Sequence, residues 1–298
     1  MKNFRQRAAF WYEKNHTACF LAPAMITMAV FAVYVFSFLF YLALCNWNAR
    51  SPSPTFTGFN NFIRMASDRE FWLSLWRTIV YTVTTVAGQV AVGFLLAYTL
   101  NRRVFGLGLI RTLLIVPMAL TPVVIGMFWK IILDPSLGPI NYYLSFLRIP
   151  GPLWIGASST ALASIMMVTI WQLAPYSFLT ITAGFSSLPE DVYEAAVIDG
   201  ANGFQILFRI TIPMLKQVLL TLVLLRMIEA FRAFDLIYTM TRGGPGTATQ
   251  LMPFYLYTAG FDWFDFGYAA ALSVFLLFFV LFVFRFFINK TGVKVFYE

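Results

Sequence analysis

Six membrane-spanning helices in an all-α chain, with both ends inside, are expected here from three features: strong hydrophobicity, scarcity of charge, and the side on which basic residues fall. Of 298 residues, 60% are hydrophobic and only 11% are charged, with a mean hydropathy of +0.74. Soluble domains carry about 25% charged residues. Too few polar side chains exist to wet a globule of this size, so the surface must face lipid. The net charge of +8 comes from Lys and Arg scattered through short loops beside apolar runs. With no basic stripe interleaved with aromatics, it signals topology and no nucleic-acid partner.

A helix needs about 20 apolar residues to cross about 30 Å of hydrocarbon. Five runs meet that requirement: roughly 18–45, 74–100, 109–133, 158–183 and 266–288. The first is too long for a secretory signal and lacks a small-x-small site, so it reads as an uncleaved anchor. Cys19 and Cys45 lie at its opposite ends, too far apart for a disulfide. A sixth run, 213–240, is interrupted by Lys216, Arg226, Glu229, Arg232 and Asp235. With six spans and an inside N-terminus, 12 Lys and Arg fall inside and 7 outside, Arg226 and Arg232 lying in the membrane. The positive-inside bias therefore keeps the sixth run, since its removal would put the last two segments on the wrong sides. Segments 46–73 and 135–157 hold Pro and Gly clusters and read as exterior loops. The expected organisation is a tail, first span and loop over 1–73, a core over 74–288 containing interior loop 184–213, and a cytoplasmic tail over 289–298.

Interior loop 184–213 carries its own folding signals. Ser187-Leu188-Pro189-Glu190 has the form of a capping box, and Glu190 and Asp191 place negative charge at the positive end of a helix dipole. The helix is expected to run through Val192, Ala195 and Ala196 to a stop at Gly200, about twelve residues and about 18 Å long. Asn202 then caps a second stretch with an apolar stripe of Phe204, Leu207 and Phe208, ending at Pro213. Such a knob serves either as a stable connector or as a docking surface. Ala195 and Ala196 on an exposed face, where they permit close approach, favour docking.

Glu194-Ala195-Ala196, three residues, Gly200, nine residues, Ile210, one residue and Ile212-Pro213 resembles the EAA loop of binding-protein-dependent ABC importer permeases. Ile212 stands where Leu is usual. Asp199-Gly200-Ala201 is the form common in the carbohydrate-uptake branch. Trp171-Gln172 with Pro175, Phe234-Asp235, and Met240-Thr241-Arg242-Gly243-Gly244-Pro245 are similar to the maltose-permease-F-like subunits of sugar transporters, and the resemblance extends from about residue 74 to the end. It implies a type I importer fold in the bacterial cytoplasmic (inner) membrane, working by alternating access. It also implies that Glu194, Ala195, Ala196, Asp199, Gly200, Ile210 and Pro213 couple the chain to an ATPase, with Glu194 touching the ATPase cleft. The implied partners are a second permease subunit in a heterodimer, an ATPase dimer, and a periplasmic or lipid-anchored solute-binding protein.

No Walker sequence occurs, so ATP and Mg are expected on the partner ATPase, and this chain is expected to be no enzyme and to hold no cofactor or metal. Gly243-Gly244-Pro245-Gly246 lacks the Lys-Ser/Thr of a phosphate cradle and reads as a turn. Gly106-Leu107-Gly108 lacks a third glycine. His16, the single histidine, has no partner at metal spacing. Neither Gly-x-Ser-x-Gly nor His-Glu-x-x-His occurs, so an intramembrane enzyme is a distant alternative.

Ionisable residues inside a membrane are costly and face a partner or a wet cavity. Arg226, Glu229, Arg232 and Asp235 recur every three residues, which suits mutual neutralisation and subunit packing. Equally, Arg226, Glu229, Ala230 and Ala233 share one helical face and suit a cavity wall. Thr169, Gln172, Leu173 and Tyr176 repeat that spacing in the fourth span, combining hydroxyl, amide and aromatic groups suited to a sugar. Both faces match substrate-contacting positions of the resembled family, with Met118 and Pro122 as weaker matches. The expected cargo is a carbohydrate or sugar derivative; the alternative is a polyol, phosphate ester or sulfonate.

Overall fold

The computed structural model describes residues 2–100 and 106–292. Helix α1 (Lys2–Ala43) leads into a two-residue hairpin, β1 (Cys45–Asn46) and β2 (Thr55–Phe56), then α2 (Asn60–Ser67) and α3 (Arg69–Thr99). The middle of the chain supplies α4 (Leu107–Ala119), α5 (Pro122–Ile132), α6 (Pro139–Phe146), α7 (Ala161–Ser186), α8 (Glu190–Ile198) and α9 (Gly203–Gln205). A π-helical segment (Ile206–Thr211) joins α9 to α10 (Ile212–Phe231), followed by α11 (Asp235–Met240), α12 (Met252–Tyr257) and α13 (Phe266–Thr291). Five helices are long and apolar enough to span a membrane, and a sixth span is formed by the bent pair of α4 and α5.

The expected third span is therefore not straight. Its two halves meet at 99°, because Pro122 offers no N–H and drives its predecessors out of the helical region: Leu120 has ψ 146° and Thr121 ψ 144°. The expected fifth span also needs correction, since α10 stops at Phe231 and Asp235 opens a separate helix. No glycine or proline ends α10. Packing does so instead: the Phe234 ring, in the break, lies 5.4 Å from Tyr238, 6.0 Å from Phe254 and 5.1 Å from Tyr257. Arg226 and Asp235 thus do not share one helix, and no ion pair within 4.0 Å forms among Arg226, Glu229, Arg232 and Asp235. Mutual neutralisation in contact pairs fails.

The chain divides into two compact units. One comprises Met1–Ser67 and Ala259–Phe275. The loop expected over 46–73 is built here rather than irregular: Asn61 Nδ2 donates to the Ala43 and Cys45 carbonyls at 3.0 and 2.8 Å. Arg64 pairs with Asp265 at 2.6 Å while its guanidinium covers the Tyr268 ring. Leu42, Ala43, Ala270, Ala271 and Val274 form the local core. Cys45 is a free, buried thiol; the side chains of Cys19 and His16 lie outside the described residues.

The other unit comprises Asp68–Thr258 and Leu276–Glu298. Its centre is the packing of α3 on α7, made close by Gly93: a Cβ there would lie 2.5 Å from Ser177 Cβ and 2.8 Å from the Phe178 nitrogen. Polar side chains of α3 (Ser74, Thr78, Tyr81, Thr82, Thr85, Gln89) are all buried. Thr78 and Thr85 satisfy themselves on the carbonyls four residues back, at 2.7 Å each.

Candidate functional site: a polar cavity among the spans and an interior docking knob

The middle turns of α3 and α7 meet α10, the break after it and the start of α5 around a cavity of about 230 Å³. Thr169, Gln172 and Leu173 from α7, Arg226, Glu229 and Ala230 from α10, Ala233 from the break and Pro122 from α5 line it. Of the residues singled out by spacing, Met118 does not reach it. Tyr176 is absent from the lining too, but its ring covers the Arg226 guanidinium at 5.0 Å.

The wall is built in layers. Thr169 donates its one hydroxyl proton to the Ile165 carbonyl at 2.8 Å, so in the 2.9 Å contact between Tyr81 and Thr169 the phenol is the donor. Gln172 Nε2 donates to the Leu120 carbonyl at 3.4 Å, a group released by the bend between α4 and α5. One of its amide hydrogens thus steadies the broken span, leaving the rest of the group for the cavity. Arg226, 6% exposed, donates from Nε to Gln89 Oε1 at 2.9 Å. Glu229, Arg232 and Asp235 stand exposed at the rim.

Sequence reasoning missed Tyr81 and Gln89, both lining the cavity. A signal existed: Thr78, Tyr81, Thr82, Thr85 and Gln89 fall on one helical face of an otherwise apolar span. No group of three or more His, Cys, Asp or Glu suited to a metal occurs among the described residues.

On the interior side, the knob departs from expectation at its start. Helix α8 begins at Glu190 with Pro189 as its cap, and Ser187 donates instead to the Gly184 carbonyl at 2.7 Å, so the Ser187 box does not form. The helix is nine residues long. Its end follows expectation: Gly200 adopts φ +77°, with Gly200 N donating to Val197 O at 3.1 Å and Ala201 N to Ala196 O at 2.9 Å. These are the paired bonds of a Schellman stop. Asn202 forms a reciprocal box with Gln205, both bonds 2.9 Å. Beyond it the chain does not pause at Pro213. Instead, the π-helical turns carry α9 into α10, Thr211 Oγ1 reaching the Ile206 carbonyl at 3.2 Å.

Glu194, Ala195 and Asp199 are exposed, whereas Ala196 is buried at 7% and faces inward, so only one alanine of the pair lies on the open face. Pro213 is exposed and Ile210 is half-buried. Val197, Ile198, Phe204 and Phe208 give the knob an exposed apolar surface, 85% exposed at Ile198. Behind it, Tyr98, Phe185, Leu188, Tyr193 and Thr211 border an interior cavity of about 580 Å³.

The sequence profile of the family described as binding-protein-dependent transport system inner membrane component matches residues 89–291. The chain is 34% identical over 257 residues to the trehalose/maltose transport system permease protein MalF of Thermococcus litoralis, covering 85% of this chain and 86% of that one. It is 33% identical to the sulfoquinovosyl glycerol transport system permease protein SmoG of Agrobacterium fabrum, covering 85% and 83%. Its fold is similar to a subunit of a bacterial ABC transporter involved in importing the acidic polysaccharide alginate, with a TM-score of 0.80, 19% identity, and coverage of 97% and 100%.

Proposed function

Because the chain belongs to the family of binding-protein-dependent inner membrane transport components, we propose that it is the permease subunit through which an ATP-driven importer passes a carbohydrate or sugar derivative across the cytoplasmic membrane. The names of MalF and SmoG have a saccharide in common. The observation that carries the cargo class is the lining of the membrane cavity: buried hydroxyl, amide and guanidinium groups beside aromatic rings. A sugar leaves water only when its hydroxyls find new partners, each unmatched polar group costing about 1–3 kcal/mol. Tyr81, Thr169, Gln172, Arg226 and Glu229 supply such partners.

The transport cycle in this reading is alternating access. A loaded solute-binding protein docks outside, an ATPase dimer holding ATP and Mg grips the Glu190–Ile198 helix through Glu194 and the apolar knob, and a second permease subunit completes the pathway. A sharp glycine stop and a reciprocal Asn202–Gln205 box stiffen the knob, which suits transmission of force.

The test is uptake by the complete transporter in liposomes. Uptake of a labelled sugar bound by the partner binding protein is expected to need that protein, internal ATP and an intact Glu194, with Glu194→Lys abolishing it while subunit abundance holds. Uptake by this chain without an ATPase or a binding protein would remove the reading.

A further inference from the structure

Arg226 is the most deeply buried charge of the cavity, and its surroundings leave it half satisfied. Nε is taken by the neutral Gln89 amide at 2.9 Å, and Tyr176 covers the guanidinium face. Among the described residues no carboxylate lies within 4.0 Å, and none accepts from its two terminal nitrogens. Those nitrogens are not among the buried polar atoms lacking a partner, so they open onto the cavity that Arg226 lines. A guanidinium anchored at one edge and covered on one face presents a fixed two-nitrogen fork.

Gln89 itself is 2% exposed and lies on α3, and among the described residues its side chain makes no other hydrogen bond. An amide rather than a carboxylate at this point leaves the charge on Arg226 undiminished while fixing its direction. The four charges of the lining balance: Arg226 and Arg232 against Glu229 and Asp235. A ligand of net negative charge would meet two carboxylates and one guanidinium at the rim, a mouth of net negative charge, on its way to one buried cation. Paired hydroxyls suit the arrangement better, taking two N–H bonds from the fork while donating to the rim carboxylates.

We propose that Gln89 is a positioning residue that sets Arg226 as a donor fork for adjacent hydroxyls of an uncharged saccharide, making the pair a determinant of cargo specificity. The proposal rests on the reading of this cavity as the sugar pathway. It separates neutral sugars from sugar acids and phosphates, which the family alone does not.

The complete transporter is reconstituted in nanodiscs without nucleotide, and ¹⁴C-trehalose binding is measured against unlabelled maltose, sucrose, glucuronate and glucose 6-phosphate. Neutral disaccharides are expected to compete and the two anions not to. Gln89→Leu is expected to weaken binding by about tenfold, equivalent to about 1.4 kcal/mol, with subunit abundance unchanged. Gln89→Glu keeps an acceptor for Nε and is expected to stay within about threefold of the parent, under 0.7 kcal/mol on the same scale. A purely structural Gln89 would lower abundance in both variants and leave the affinity of the surviving protein unchanged; that result overturns the proposal. So does preferential competition by the anions, or absence of saturable trehalose binding. Binding-protein- and ATP-dependent uptake by the same preparation reports separately on the transport reading, which stands or falls on that readout.

Discussion

Gly200 holds φ +77° with no heavy atom within 4 Å of a Cβ placed there, so its requirement is conformational rather than steric. A branched residue in left-handed backbone costs about 1–2 kcal/mol, whereas Asn tolerates it. Gly200→Val is expected to loosen the Schellman stop and to abolish coupled uptake, while Gly200→Asn retains most of it; equal loss in both would move the requirement from φ to space. Asp134 gives a second residue-scale test, outside the spans. Its carboxylate accepts from Leu137 N at 2.8 Å, Ser136 Oγ at 2.8 Å and Ser136 N at 2.9 Å. These bonds hold its pKa below the ordinary carboxylate value, the Leu137 bond contributing most. A depressed folded-state pKa means the turn is supported above the ordinary range, near pH 4, and loses that support as acid protonates the group. Limited proteolysis at 135–157 is expected to quicken below about pH 4, and a pH-independent cleavage rate would contradict the assignment. Single-residue roles were unevenly legible in the sequence. Gly200 and Asn202 carry conformational signals in their own chemistry, whereas the Ser187 hydroxyl has two competing targets and the structure gives it to Gly184.

At the scale of elements, two glycines in helices make opposite predictions. Gly93 in α3 sits against the Ser177–Phe178 backbone of α7, and an added Cβ would lie within 2.9 Å of the Ser177 carbonyl carbon. Gly108 in α4 has nothing within 4 Å. Gly93→Ala is therefore expected to destabilise the protein by about 1–3 kcal/mol through overpacking. Gly108→Ala is expected to be neutral or to stabilise by up to about 1 kcal/mol through helix propensity. Thermal unfolding in detergent reads both, and a matching shift in the two variants would refute the close approach of α3 and α7. The existence and order of the spans were readable because about 20 apolar residues admit few alternatives in lipid. Their interruptions were not equally readable. Pro122 carried a local reason for the 99° bend, which an uninterrupted hydropathy run conceals. The end of α10 at Phe231 has no local signal, being set by aromatic packing around Phe234. Gln89 and Tyr81 escaped notice for a similar reason: an amide and a phenol scarcely dent the hydropathy of a long span, although their helical spacing marks a face.

For the whole molecule, the distribution of Lys and Arg places both ends inside, with the knob on the same side. In a background lacking Cys19 and Cys45, single cysteines at Ser53 and Thr247 are expected to react with an impermeant thiol reagent from outside. A cysteine at Asn202 is expected to react only after permeabilisation; Asn101, the companion inside position, lies outside the described residues. External labelling at Asn202 would contradict the coupling scheme, since an ATPase cannot reach that face. Cavity and knob lie in the same compact unit, Asp68–Thr258 with Leu276–Glu298, joined through α7 and α10, so the two sites share continuous helices. Cavity and knob divide the labour, and paired rates from one preparation separate their roles: sugar uptake and ATP hydrolysis stimulated by the loaded binding protein, in Gln172→Ala and Gly200→Val transporters. Gln172→Ala is expected to impair uptake at limiting sugar while stimulated hydrolysis largely persists, and Gly200→Val to lose both. Normal uptake by Gln172→Ala across the full concentration range, or stimulated hydrolysis and uptake both retained in Gly200→Val, would contradict this division of labour.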